Sequence, residues 1–142
     1  MKKVINGKVY DTETAVSVGD WSFGNGFRDF RYIHETLYRK KTGEFFLHGE
    51  GGARTQYAEH VDQNTWSGGE RIMPMSYQEA QKWAEEHLDG DEYEAIFGVV
   101  VEDETKISAT YRLPASTVET LKRRAAEKGV GVSEYLESIL AK

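Results

Sequence analysis

At 142 residues the chain has room for one domain, or one domain and a small module, and its 30% charged residues fit a soluble globular protein. It holds no cysteine, which excludes a disulfide framework, a thiolate metal site and a cysteine nucleophile. The net charge of −6 argues against nucleic acid as a partner of the chain as a whole, but the charge is uneven. From residue 105 onward seven basic residues stand against four acidic ones, net +3, leaving 11 basic and 20 acidic residues before it, net −9. An acidic body joined to a basic tail suggests two tasks.

The opening MKKVINGKVYD has no apolar core of signal-peptide length, and no apolar run nears the roughly 20 residues of a membrane span. The expected location is the cytoplasm, with no membrane partner. Residues 2–10 read as a hairpin, because Asn6-Gly7 supplies both positive-φ positions of a tight turn. Residues 12–18 read as a short helix capped by Asp11 or Thr12. The glycine-rich, aromatic GDWSFGNGFRDF reads as a packed loop. YIHETLYRK and EFFLHG read as a second hairpin around Gly43, with Tyr32, Leu37, Tyr38, Phe45, Phe46 and Leu47 as sheet-forming bulk.

GEGGARTQYAEHVDQNTWSGGE then reads as a long polar loop, a length that in a compact domain signals either function or unrecognised structure. ERIMPM reads as a short strand. Ser76 and Glu79 form a capping box opening a helix whose Ala80, Trp83, Ala84 and Leu88 share one face. Asp89-Gly90-Asp91 breaks that helix, DEYEAIFG adds a helical turn, and VVVEDET is the junction with the tail.

Little in this body points to catalysis. None of His34, His48, His60 and His87 stands in a metal-ligand spacing. His34 and His48 sit on two arms of one hairpin, where a zinc pair competes with the plainer reading of ordinary cross-strand histidines. Glu44, Glu50, Glu59 and Glu70 read as scattered through loops, and HGEGGARTQ lacks the lysine and spacing of a phosphate loop. The expectation is a protein with no enzymatic activity, no metal and no cofactor. Trp21, Trp66 and Trp83 suit a core, but Trp66 in polar QNTWSGGE is a candidate anchor for a protein partner.

The tail is richer. In KISATYRL the apolar Ile107, Ala109, Tyr111 and Leu113 alternate with Ser108, Thr110 and Arg112, a strand period. Pro114 ends that strand and suits the first turn of a helix carrying Val118, Leu121 and Ala125 on one stripe. Gly129 is the left-handed stop, and Ser133 reads as the cap of a second helix with Val132, Tyr135, Leu136, Ile139 and Leu140 on its stripe. So short a segment cannot bury these stripes alone, and its single strand has two bare edges. A two-fold partner answers both needs: the strands pair antiparallel, and four helices close over a shared core of Ile107, Ala109, Tyr111, Leu113, Leu121, Leu136 and Ile139.

Through ISATYRLP, KRRAAEKGV and VSEYLESIL the tail resembles the ribbon-helix-helix DNA-binding family (Arc- and MetJ-like). The resemblance implies a homodimer whose paired strands enter the major groove of a double-stranded operator, with Ser108, Thr110 and Arg112 as base readers. It also implies a phosphate held on the backbone N–H groups of Val132, Ser133 and Glu134. Two features depart from the family: the module is C-terminal, and its positive charge is small.

KVINGKVYDTETA, ETLYRKKTGEFFLHGEGG and GGERIMPMSYQEAQKWAEEHLDGDEYEAIFG resemble small proteins carried by mobile elements and phages of Gram-positive bacteria, some of whose short relatives resemble inhibitors of CRISPR–Cas nucleases. That resemblance implies a protein-binding or anti-defence role and names no site. The expected fold is therefore α+β: an acidic domain of antiparallel hairpins plus helices over residues 1–100, then a ribbon-helix-helix module over 105–142. The expected function is a homodimeric DNA-binding transcriptional regulator of a mobile element or phage, whose acidic domain binds a protein. The alternative is an anti-CRISPR inhibitor, whose acidic domain blocks a basic nucleic-acid-binding Cas effector while the tail serves dimerisation or autoregulation.

Overall fold

Asn6 and Gly7 take φ of 52° and 76°, and through them strand β1 (Lys2–Ile5) turns back antiparallel into β2 (Lys8–Asp11) in the computed structural model. That is the turn the Asn-Gly pair predicts. Residues 1–26, 28–104 and 106–141 are described. Phe27 of the expected loop, and Thr105 and Lys142 at the two ends of the expected module, lie outside them. The chain is mixed α+β and divides into two compact units, Met1–Val101 and Glu102–Lys142. Among the described residues no helix is long and apolar enough to cross a membrane.

The expected helix over residues 12–18 does not form. The Asp11 carboxylate accepts the Glu13 N–H at 2.9 Å, which closes a turn rather than capping a helix. Strand β3 (Val16–Phe23) follows, since Val16 and Val18 are stiff at χ1 and suit a pleated surface. It takes in the first five residues of the segment expected as a packed loop, and a bulge between Ser17 and Gly19 resets its register against β4 (Ile33–Arg39). The hairpin of β4 with β5 (Phe45–Gly51) forms as expected around Gly43, at φ 92°.

The long polar stretch after it is also structured. It holds a small hairpin, β6 (Glu59–Asp62) and β7 (Thr65–Ser67), and leads into β8 (Gly69–Met75), which pairs back onto β5. The main sheet therefore has the order β3-β4-β5-β8, antiparallel throughout.

At Phe45-Phe46-Leu47 that sheet is covered on both faces, which is why this run is unbroken apolar rather than alternating. One face carries Leu37, Phe45 and Leu47 against Ala80, Trp83 and Ala84 of α1 (Tyr77–His87). Tyr93, Ile96 and Phe97 of α2 (Gly90–Phe97) pack on the same cluster. Both helices open with capping boxes, Ser76 with Glu79 and Asp89 with Glu92. On the other face Phe46 is sealed by the β1–β2 hairpin: Tyr10 meets it edge-on at 5.5 Å and Tyr38 stacks on it at 5.1 Å. The hairpin covers one end of this face, and the other end presents Asp20, His34, His48, Glu50 and Glu70.

In the second unit α3 (Ala115–Glu127) ends at Gly129, φ 69°, where Val130 N–H reaches the Ala125 carbonyl at 3.1 Å and Gly129 N–H reaches Ala126 at 3.0 Å. This is a Schellman stop, as the glycine predicts. The cap of α4 (Val132–Leu140) is Gly131 and not Ser133. Gly131 takes the extended conformation and its carbonyl accepts the Tyr135 N–H at 3.0 Å, so Ser133 falls inside the first turn. Ala125 and Tyr135 are the buried residues of the pair, with the Lys128 ammonium 5.6 Å from the Tyr135 ring.

Candidate functional site

Two regions carry the residues singled out by the sequence. In the second unit residues 106–114 form no helix and no strand pairing. Ser108, Thr110 and Arg112 are exposed, and so are Ile107, Ala109, Tyr111 and Leu113, with Tyr111 at 79%. Leu121 and Leu136 are half-buried between α3 and α4, while Ile139 is exposed. On the surface of this unit Lys106 lies 3.7 Å from Glu137 and Arg123 lies 3.9 Å from Glu127. Val132, Ser133 and Glu134 are the first three residues of α4, so their N–H groups precede the helix's own ladder and are available to an acceptor.

In the first unit Trp66 does not stand alone. It lines an open hollow of ≈ 570 Å³ together with Phe30, Tyr32, Glu50, Glu59 and Glu70. Three of the glutamates read as scattered through loops lie in strands: Glu50 in β5, Glu59 in β6 and Glu70 in β8, with Glu50 and Glu70 directly opposite in register. Only Glu44 stands apart, paired with Lys8 at 2.9 Å. Backbone hydrogen bonds fix the hollow's walls, from Arg54 N–H to the Phe30 carbonyl at 2.8 Å and from Gly52 N–H to the Tyr32 carbonyl at 2.9 Å. Gly52 and Gly68 let those chains approach, for a Cβ on either would strike a neighbouring carbonyl oxygen. Trp66 packs at a tilt against His60 with ring centroids 4.8 Å apart.

His34 and His48 do share one face, and both meet carboxylates there. His34 bridges Asp20 through Nε2 and Glu50 through Nδ1 at 3.4 Å; His48 meets Glu70 at 2.8 Å. Among the described residues no group of three or more His, Asp or Glu could hold a metal. Burial alone pulls the His34 imidazolium down, but the hydrogen bonds and charges of Asp20 and Glu50 outweigh it and raise its pKa above the ordinary value near 6.5. A group whose folded pKa is raised adds stability in full below its unfolded pKa and loses it as pH rises through the folded pKa. Urea midpoints of the first unit should therefore fall as pH climbs from about 6 to 8. His34→Asn should flatten that slope, and an equal slope in the variant would assign it elsewhere.

Sequence reasoning missed the buried carboxylate. Glu35, 5% exposed, accepts from Tyr57 Oη, from Trp83 Nε1 at 3.0 Å and from Gln56 Nε2 at 3.4 Å, with His87 Nε2 at 3.9 Å. Burial first, then the bond to Glu35, pushes the Tyr57 phenol up. His87 itself packs at a tilt against Trp21, ring centroids 4.0 Å apart. Gly49 stands opposite Glu35, and a Cβ there would overlap the Tyr57 ring, so the missing side chain is what lets Tyr57 cross the sheet to the carboxylate. A glycine and a glutamate inside apolar strand runs were the available signal.

The chain matches no protein-family model, no curated protein and no solved structure. Its functional reading therefore stands on its own residues.

Proposed function

We propose that the chain is a homodimeric DNA-binding regulator, with a ribbon-helix-helix module in its second unit and an acidic first unit that binds a basic protein. The observation that carries this reading is an exposed, strictly alternating segment, residues 106–113, ahead of two helices joined by a Schellman turn. A segment with this period and no pairing of its own needs a second strand, and a copy of itself is the partner always at hand. In the paired ribbon Ile107, Ala109, Tyr111 and Leu113 turn inward onto the helices. Ser108, Thr110 and Arg112 turn outward to base edges, where arginine bonds guanine bidentately. The N–H groups of Val132, Ser133 and Glu134 take a backbone phosphate, and the helix dipole adds to their pull. The test is retardation of DNA from upstream of the chain's own reading frame; its absence even at low salt would overturn the proposal.

A second reading is favoured by the acidity of the first unit and by its hollow of carboxylates and exposed aromatic rings. It is that of an anti-defence inhibitor, whose first unit covers a basic surface of a Cas nuclease while the second supplies dimerisation or autoregulation. Both readings assign the first unit a positively charged protein surface as its partner.

A further inference from the structure

We propose that the hollow beside Trp66 is a socket for an arginine side chain presented by a basic protein. This rests on the reading of the acidic first unit as the protein-binding half and gives that reading a location. The rings come first. Phe30 and Trp66 are 63% and 56% exposed, belong to neither core cluster, and face one hollow with Tyr32. Large exposed aromatics gathered at one place, rather than scattered, mark an interaction site. The charges come second. Glu59 rims the same hollow with Glu50 and Glu70, which also meet His34 and His48, and none of the described residues lining it is basic. Rings alone would suit any apolar anchor, and carboxylates alone any cation. The two together suit a cation with a flat face.

A guanidinium fits that pair of demands better than an ammonium. Its plane lies on a ring, and its edge donors reach carboxylates two at a time, whereas lysine offers a compact, strongly hydrated charge. The first unit already uses this contact internally, where the Arg71 guanidinium lies 5.3 Å from the Tyr57 ring centre. A macromolecular source is favoured over a free small molecule by the shape of the site. Glu59, Trp66, Gly68 and Glu70 are exposed at its rim, so a small ligand would be held on one side only. The pinned backbone walls mean that little ordering is needed when the side chain enters.

The experiment is calorimetric titration of the full-length protein at low ionic strength with a glycine–arginine peptide, a matched glycine–lysine peptide and free arginine. The arginine peptide should bind, and Trp66→Ala should weaken it about tenfold or more with net charge unchanged. Glu59→Gln, at an exposed residue, should weaken it several-fold, and the lysine peptide and free arginine should bind more weakly. Because Trp66 is largely exposed, Trp66→Ala should keep the wild-type far-ultraviolet spectrum and urea midpoint. If Trp66→Ala binds the arginine peptide as tightly as the wild type, charge alone holds the peptide: the socket is overturned while the acidic unit remains a partner surface. Free arginine binding as tightly as the peptide overturns a protein as the source. Failure of both peptides to bind overturns the socket and the reading beneath it together.

Discussion

Glu35→Ala should cost the first unit about 3–5 kcal/mol of stability, the largest loss expected from any single truncation of a polar side chain in this unit. The substitution leaves the Tyr57 hydroxyl and the Trp83 indole N–H buried without their acceptor, and each such orphan costs about 1–3 kcal/mol. It also empties the space between β4 and α1 in which the carboxylate sits. Against the roughly 5–15 kcal/mol of a typical domain, that is a large share of the total. All three tryptophans, Trp21, Trp66 and Trp83, lie in the first unit, so fluorescence during urea unfolding follows this unit alone. Glu35→Gln keeps the shape and one acceptor oxygen and should lose much less. A shift below about 1 kcal/mol in Glu35→Ala would mean that the network is ornament rather than structure.

Arg112→Ala should abolish retardation of the upstream DNA while leaving the dimer intact. A bidentate arginine–guanine contact contributes about 1–3 kcal/mol of discrimination, and a two-fold ribbon makes it twice. The pair together sets a loss of about 2–6 kcal/mol, roughly thirtyfold to ten-thousandfold in affinity. Because the side chain is exposed, its removal disturbs no core, and the mass of the assembly should not change. The net +3 of the tail also limits what non-specific phosphate attraction can contribute, so loss of the base contact has little to hide behind. Retardation that survives in Arg112→Ala would remove the outward face of the ribbon from DNA recognition.

What could be read from the sequence followed the distance over which each signal acts. The Asn6-Gly7 and Gly43 turns, the Ser76–Glu79 box and the Gly129 stop are settled by neighbours within a few residues, and each is where the spacing puts it. Residues 12–18 misled because Asp11 can close a turn as readily as it caps a helix, and the β4 edge waiting for β3 decided between them. Ser133 misled in the same way: a serine near a helix start competes with Gly131, whose backbone alone makes the cap. The hollow stayed hidden because Glu50 and Glu70 are 20 positions apart and become neighbours only through the β5–β8 register, which no local pattern announces. The Glu35–Tyr57–Trp83 network is hidden for the same reason, since it joins β4, the stretch before β6 and α1.

The exposed Ile107, Tyr111 and Leu113 bring the account to its most direct test, the mass of the purified chain by sedimentation equilibrium at micromolar concentration. The account predicts twice the 16.1 kDa of one chain, and a return to a single mass when the protein ends at Val101. A full-length protein that remains at 16.1 kDa would contradict it, because the alternating segment would then have no second strand to form a ribbon.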